Sequence, residues 1–228
     1  MDKLYGIIYS DPPWEQQKGN MRKCRPNQGK ALDYPTMTVE ECMKVQTPFF
    51  DKAAEKHNIF MWTIDKFLFQ TECAMEKLGY KLHARLIWDK TNGVAPAFTI
   101  RFSHEYLLWF YKPGKMLKPR AETRGKYTSV MREPATYHSH KPNCAYIMLE
   151  DMFPTENKIE LFARNTRAGW DCWGNEIEKV DNNDKVHCRN CDYLNMDSGK
   201  PYCCRPHMST SGLDDWCDHA KRKENNNA

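Results

Sequence analysis

The tetrapeptide Asp11-Pro12-Pro13-Trp14 gathers a carboxylate, two fixed carbonyl dipoles and an indole within four residues. That set suits alkylation of an amine conjugated to an aromatic ring. The lone pair of such an amine is delocalised, so it is a poor nucleophile until two acceptors on its hydrogens pull the nitrogen toward tetrahedral geometry. Asp11 and the Pro12 carbonyl are the candidate acceptors. Proline has no N–H and a locked φ, so the Pro12-Pro13 pair aims a carbonyl outward without offering a competing donor. Trp14 supplies a flat apolar face for a base. The alternative for the same residues is a strand-end turn with a core tryptophan.

The element that must position the tetrapeptide is the apolar run Leu4-Tyr5-Gly6-Ile7-Ile8-Tyr9, which stops at the proline pair and reads as a buried strand ending in a rigid turn. In open α/β sheets, ligands bind at that C-terminal strand edge. Residues 15–33 are polar, basic and without periodicity, the pattern of a long loop closing over the turn. Thr38 with Glu41 three residues on forms a capping box for a helix through about Lys44, and a second helix is predicted after Pro48, from Phe49 to Lys56. Strands are predicted at Asn58–Thr63, Lys81–Asp89, His104–Tyr111 and Asn157–Ala163. Helices are predicted from Lys66 to Leu78, stopped by Gly79, and from Pro142 to about Met152. Arg164 to Glu176 reads as a loop with a short extended piece. Strands alternating with helices give an α/β fold with a mainly parallel sheet.

The chain has 228 residues and a net charge of +4, enough length for one well-packed domain and an appendage. Its positive charge is concentrated in two segments. Residues 18–30 carry Lys18, Arg22, Lys23, Arg25 and Lys30 with no acid, and residues 112–142 carry eight Lys or Arg against Glu122 and Glu133. Both segments are expected to frame the face that bears the turn. Lys18, Arg22, Lys23 and Arg25 in the first, with Arg132 and His138 in the second, are candidate polynucleotide contacts. No Gly-x-Gly-x-x-Gly turn or phosphate-binding Gly-Lys-Ser/Thr loop is present, which argues against either usual mode of nucleotide-phosphate binding. The run Glu160-Leu161-Phe162-Ala163-Arg164 instead brackets a buried strand end with an acid and a base, a pair able to grip hydroxyls and an ammonium; a surface ion pair is the plainer reading. No apolar run approaches membrane-spanning length and no signal-peptide core opens the chain, so a cytoplasmic protein is expected, without a membrane partner.

Ten cysteines in a reducing compartment are not a disulfide framework, and five of them follow residue 187. Cys188 and Cys191 form a two-residue-spaced pair, followed by Cys203 and Cys204 and then Cys217. This is the cadence of a four-thiolate zinc site, with one of Cys203 and Cys204 as the third ligand. Residues 1–178 are read as the main domain and 179–228 as a linker and Cys-rich tail.

The motifs occur together in one order. Asp11-Pro12-Pro13-Trp14, Tyr34-Pro35-Thr36-Met37, Phe60-Met61-Trp62, Trp88-Asp89-Lys90-Thr91-Asn92-Gly93, His104-Glu105, His138-Ser139-His140-Lys141-Pro142, Glu160-Leu161-Phe162-Ala163-Arg164 and Gly174-Asn175-Glu176 follow one another along residues 4–178. In this the chain resembles the DPPW N(6)-adenine methyltransferases, which comprise the catalytic subunit of the eukaryotic mRNA adenosine methyltransferase and its bacterial and phage relatives. The resemblance is to the small, prophage-type members. It implies a Rossmann-like methyltransferase fold with permuted motif order, in which the tetrapeptide precedes the principal cofactor strand. It also implies S-adenosylmethionine as methyl donor and adenine in a nucleic acid as acceptor, DNA first and RNA as the alternative, in a bacterial or phage-infected cell.

By position, the resemblance has Asp11 and Pro12 hold the amine, with Pro13 completing the catalytic turn, while Trp14 and Tyr34 flank the base. Lys141 meets the methionine carboxylate, Arg164 and Asn165 the ribose, Asn175 and Glu176 the adenosine end, and Ile7 and Ile8 lie near the adenine; Glu160 and Phe162 belong to the same cofactor edge. Ala163 departs from the eukaryotic glycine. A catalytically silent nucleic-acid-binding subunit and a zinc-dependent adaptor are the competing expectations, and a homodimer is a further one.

Overall fold

The computed structural model of the chain describes residues 3–15, 36–91, 100, 102–135, 141–175 and 177, together with the backbone of four short strands beyond them. The chain forms two compact units, 1–177 and 178–228.

The first unit is a mixed α/β layer structure around a seven-stranded sheet. Its centre is β1 (Tyr5–Ser10), buried at all six positions because both of its edges and both of its faces are covered. β1 pairs in parallel with β2 (Ala53–Thr63) and with β6 (Lys158–Leu161). The sheet continues through β4 (His104–Tyr111), β3 (Lys81–Asp89) and β5 (Val130–Arg132) on one side, and through β7 (Trp170–Trp173) on the other, in the order β5-β3-β4-β2-β1-β6-β7. Only β4 runs against its two neighbours, so the mainly parallel sheet read from the alternation of elements is the one observed.

Strand alternation builds two cores. Ile8, Ile59, Met61, Leu108 and Phe110 face the helices α1 (Val39–Phe50) and α2 (Leu68–Lys77). Ile7, Tyr9, Phe60, Trp62, Leu107 and Trp109 face α3 (Asn143–Met152) through Ala145, Met148, Leu149 and Met152. Each face of the sheet is thus sealed by the apolar stripe of a helix.

The capping box is present: Thr38 Oγ1 accepts from the Glu41 N–H and Glu41 returns the bond to the Thr38 N–H. Gly79 ends α2 at a φ of +81°, a left-handed conformation that a side chain disfavours. The predicted second helix, Phe49 to Lys56, does not form. α1 runs through Pro48 to Phe50, because a proline this close to the C-terminus forfeits only one ladder bond and its ring stays exposed. Ala53 to Lys56 instead open β2, where Ala53 pairs with Tyr5 across a register shift. Their mixed polar sequence reflects a half-exposed strand start. The short extended piece after Arg164 is β7, the seventh strand.

In the second unit, β9 (Leu194–Asp197) pairs antiparallel with β10 (Lys200–Cys203), and β8 (Val186–His187) with β11 (Trp216–Cys217). Among the described residues no cluster of His, Cys, Asp or Glu could hold a metal ion; Cys188, Cys191 and Cys204 lie outside them, and only the backbone of Cys203 and Cys217 is described.

Candidate active site

The tetrapeptide leaves the sheet where β1 ends. The Asp11 N–H donates to the Leu161 carbonyl (3.3 Å), fastening the turn to the end of β6. The Trp14 N–H donates to the Pro12 carbonyl (2.9 Å), the Met37 N–H to the Pro13 carbonyl (2.8 Å) and the Glu15 N–H to the Met37 carbonyl (2.9 Å). The Pro12 oxygen keeps one lone pair beyond its bond to Trp14. Glu15 and Met37 therefore lie side by side, at the turn. Tyr34, Lys18, Arg22, Lys23 and Arg25 lie outside the described residues. Below the turn, Ser10 donates to Gln46 Oε1 (2.5 Å), and Gln46 donates to the Cys42 carbonyl (3.0 Å), locking α1 to the end of β1.

Trp14 is 5% exposed. Its indole N–H donates to the Trp62 carbonyl (3.1 Å) and its ring stacks on Phe67 with centroids 5.7 Å apart. In this structure it is the packed floor of the turn.

Beside Asp11 lies a chain of alternating charges. Lys141 Nζ is 2.9 Å from Asp11 Oδ1 and 2.9 Å from Glu105 Oε2, and Lys90 Nζ is 2.6 Å from Glu105 Oε1. The Lys141 ammonium also lies 5.4 Å from the centre of the Trp62 ring. Burial pushes the Glu105 carboxyl up, but Lys141 and Lys90 outweigh it and hold its pKa at about 2. Burial alone would lower the pKa of Lys141; the two carboxylates raise it instead, so the ammonium stays charged. Asp11 is raised by burial, with Lys141 opposing. The start of α3 holds Lys141 in place: the Glu133 carboxylate accepts the first N–H groups of that helix, from Asn143 (2.7 Å) and Cys144 (2.8 Å).

Across the β1–β6 edge, Glu160 is buried and accepts the Tyr146 hydroxyl (2.8 Å); burial lifts its pKa to about 7. The Tyr9 hydroxyl and the Trp62 indole N–H, on the same face, are buried and make no hydrogen bond of ordinary geometry. Beyond β6 the backbone is unusual twice. Phe162 has a φ of +60°, and a Cβ on Gly174 would stand 2.2 Å from the Ala163 carbonyl oxygen, so only glycine fits there. With the Ala163 N–H bonded to the Trp173 carbonyl (3.0 Å), this close approach brings Phe162 and Ala163 against Trp173 and Gly174. Arg164 is half-buried there, Asn165 and Asn175 are exposed, and Glu176 lies outside the described residues. Ile7 and Ile8 are fully buried in the middle of β1.

The second basic segment does not frame this face as a whole. Because β4 is antiparallel, it delivers Tyr111 to the opposite edge of the sheet, and the chain continues there. The His57 N–H donates to the Lys115 carbonyl (3.1 Å), Asn58 to the Leu117 carbonyl (2.9 Å) and the Arg120 N–H to the Met152 carbonyl at the end of α3 (3.0 Å). Lys112, Lys115, Lys118, Arg120, Arg124 and Lys126 belong to that far edge, where Asp151 accepts from Arg120, Lys126 and Tyr127. Only β5 brings the chain back, so Arg132, exposed and 3.4 Å from Asp89, and Lys141 stand at the site edge. His138 lies outside the described residues.

Glu105, Lys90 and Glu133 are central to the geometry but were assigned no contact from the sequence, although Lys90 and Glu105 stand within motifs that carry the resemblance. The available signal was a lone acid opening the otherwise apolar strand His104–Tyr111, which calls for a buried cation beside it.

The geometry is that of a buried acceptor turn with a charged cradle beside it. The family model described as MT-A70 matches residues 5–176. Type II methyltransferase M.MunI of a Mycoplasma species is 31% identical over 190 residues, which cover 77% of this chain and 78% of that protein. A putative N(6)-adenosine-methyltransferase MT-A70-like protein of Medicago truncatula is 30% identical over 186 residues. The N(6)-adenosine-methyltransferase catalytic subunit METTL3 of Homo sapiens is 25% identical over 185 residues. The chain spans only 27% and 29% of the length of those two proteins. With the family's domain covering most of its length, from the first strand to the end of the site, the chain belongs to the MT-A70 family of S-adenosylmethionine-dependent N(6)-adenine methyltransferases.

Proposed function

We propose that this protein transfers a methyl group from S-adenosylmethionine to the exocyclic N(6) amine of adenine in DNA, in a Rossmann-like fold of permuted motif order. The observation that carries the reading is Asp11 and the Pro12 carbonyl at the end of β1, adjoining a desolvated lysine. DNA is preferred to RNA because identity to the type II methyltransferase, 31%, exceeds that to METTL3, 25%. The donor fits the residues beside the turn: a charged lysine for a carboxylate, a buried carboxyl for an ammonium, and two buried donors without partners of ordinary geometry. Lys141, Glu160, Arg164, Asn165 and Asn175 are the residues that would hold it.

When bound, S-adenosylmethionine supplies a methyl group activated by its sulfonium. Asp11 and the Pro12 carbonyl accept the two amine hydrogens and keep the nitrogen lone pair free for in-line attack, without a covalent enzyme intermediate. Their acceptor dipoles stabilise the positive charge that develops on nitrogen, and Asp11, its affinity for protons raised by burial, takes the proton released. Fixing both partners in line supplies much of the rate enhancement. A duplex substrate requires the base to be flipped out of the stack. Incubation with labelled S-adenosylmethionine and separate DNA and RNA, followed by nucleoside mass spectrometry, tests the reading. N(6)-methyladenine in DNA is expected; a product in RNA alone reassigns the substrate, and none in either overturns the proposal.

The main domain is taken as residues 1–178 and the tail as 179–228. For the tail we propose one structural zinc, held by Cys188, Cys191, one of Cys203 and Cys204, and Cys217. A segment of this size buries too little apolar surface to fold unaided. Elemental analysis of protein purified without added metal is expected to give about one zinc per chain; a few tenths or less rejects it.

A further inference from the structure

Arg167 lies between β6 and β7, and none of the roles above uses it. Its guanidinium donates twice to Glu150 (Nε to Oε1 2.5 Å, Nη2 to Oε2 3.0 Å) and once to Asn143 Oδ1 (2.9 Å), and its central carbon lies 4.7 Å from the centre of the Tyr146 ring. Asn143, Tyr146 and Glu150 are spaced i, i+3 and i+7, so they form one stripe along α3. Only an arginine, with donors on a rigid planar fork that also stacks, satisfies all three at once. The stripe is tied in further: Glu150 Oε1 also accepts the Trp170 indole N–H (2.8 Å), and Tyr146 donates to Glu160 (2.8 Å). One side chain thus joins the segment that carries Arg164 and Asn165 to the helix whose N-terminal approach carries Lys141.

We propose that Arg167 is a positioning residue for the methyl donor, fixing the distance between the Lys141 end of the cofactor cradle and the Arg164–Asn165 end, with Glu150 as its anchor. The inference rests on the function proposed above. Exposed ion pairs contribute little, but this pair is bidentate, about two-thirds covered on each side chain (29% and 34% exposed), and shared with a stacked ring and an indole. Removing it deletes no group proposed to touch the donor; it loosens the span that the donor must bridge. Donor binding is therefore weakened more than turnover at saturation.

Calorimetric binding of S-adenosylmethionine and steady-state kinetics are measured on the full chain, with Arg167→Ala, Arg167→Lys, Glu150→Gln and the Arg167→Lys/Glu150→Gln double variant. Arg167→Ala is expected to raise Kd and KM for the donor about tenfold with kcat within about twofold of the parent, the scale of a modest misplacement. Arg167→Lys keeps the charge but not the fork and stays near Arg167→Ala, and the double variant is no weaker than the worse single one. Parental KM in the Arg167 variants overturns the inference, as does a fall in kcat at unchanged KM. Full rescue by Arg167→Lys also overturns it, since charge alone would then suffice. If Arg167→Ala does not fold, Arg167→Lys and Glu150→Gln decide by the same readouts. A parent chain that binds no donor overturns the proposed function itself; the positioning role fails separately when the parent binds and the variants match it.

Discussion

The two edges of the sheet carry similar numbers of charges in opposite circumstances. At the edge where β1 ends, Lys90, Glu105, Lys141 and Asp11 alternate in sign, and the Lys141 side chain is 9% exposed. At the far edge, Arg120 and Lys126 surround Asp151, and the Lys126 side chain is 56% exposed. A lysine hydrogen-bonded to an acid occurs in both places. Water screens the far pair, which makes it dispensable. Burial makes each member of the near chain depend on its neighbours, since a lone buried charge is costly. Within residues 112–126, density of basic residues marks the far edge; desolvation marks the edge of the proposed chemistry.

The sharpest way to break this contrast is to remove one lysine from each edge. Lys141→Ala leaves Asp11 and Glu105 buried with one ammonium between them, and a loss of about 3 kcal/mol in urea-unfolding stability is expected. Lys126→Ala is expected to leave the unfolding midpoint unchanged. Equal midpoints for the two variants would remove the distinction between the edges.

Asp11→Ala separates chemistry from stability within the near edge. Glu105 still balances Lys141 there, so donor affinity is expected to stay close to the parent's. Initial rates on an adenine-containing oligonucleotide are expected to fall a hundredfold or more, about 2.7 kcal/mol of lost transition-state stabilisation. A variant that turns over at the parental rate would show that the turn is not the amine acceptor.

Much of the near edge was legible because its signals are local. Lys81–Asp89 and His104–Tyr111 are apolar runs bounded by turn residues, and both strands lie where that pattern predicts. The capping box of α1 and the glycine stop of α2 are likewise set within a few residues of sequence. What escaped was set by pairing between distant segments. Glu105 meets Lys90 because β3 and β4 are antiparallel, with Asp89 opposite His104, and the placement of residues 112–126 follows from the direction of β4. Ala53–Lys56 read as helix because nothing in those four residues announces Tyr5 as a partner. Tyr34 and the basic residues of 18–25 fall outside the described residues.

Two carboxylates on the α3 side of the sheet sharpen the comparison through pH. Glu160 is raised from 4.5 to about 7 by burial. A raised folded-state pKa adds stability that is complete below the unfolded pKa and is lost as pH rises through about 7. Glu160→Gln is therefore expected to be more stable than the parent at pH 8, by on the order of 2 kcal/mol, with the advantage gone by about pH 5. Glu105 has the opposite sign: held at about 2, it contributes stability present above its unfolded value and lost as pH falls toward 2. Glu105→Gln is expected to be less stable than the parent at neutral pH, with the gap closing in acid. Parallel pH profiles for the two variants, measured by urea unfolding, would contradict the assignment of burial to one and ion pairing to the other.

The smallest expected effect concerns the nucleic acid, and it tests whether the edges differ for the substrate as well. Arg132 is exposed at the site edge, its weak contact to Asp89 leaving the guanidinium largely in water and available to a phosphate. Lys112, Lys115 and Lys118 sit at the opposite edge, a full strand length from Asp11. Each phosphate that a side chain neutralises adds about one to the slope of log affinity against log salt. Arg132→Ala is expected to reduce that slope by about one on a short adenine-containing duplex, and substituting the three far-edge lysines together is expected to leave it unchanged. Measuring slopes instead of single affinities matters here, because a long-range field from any lysine raises affinity at low salt. A larger change from the far-edge triple variant than from Arg132→Ala would mean that the duplex wraps past the end of the sheet, and the far edge would then be part of the substrate surface after all.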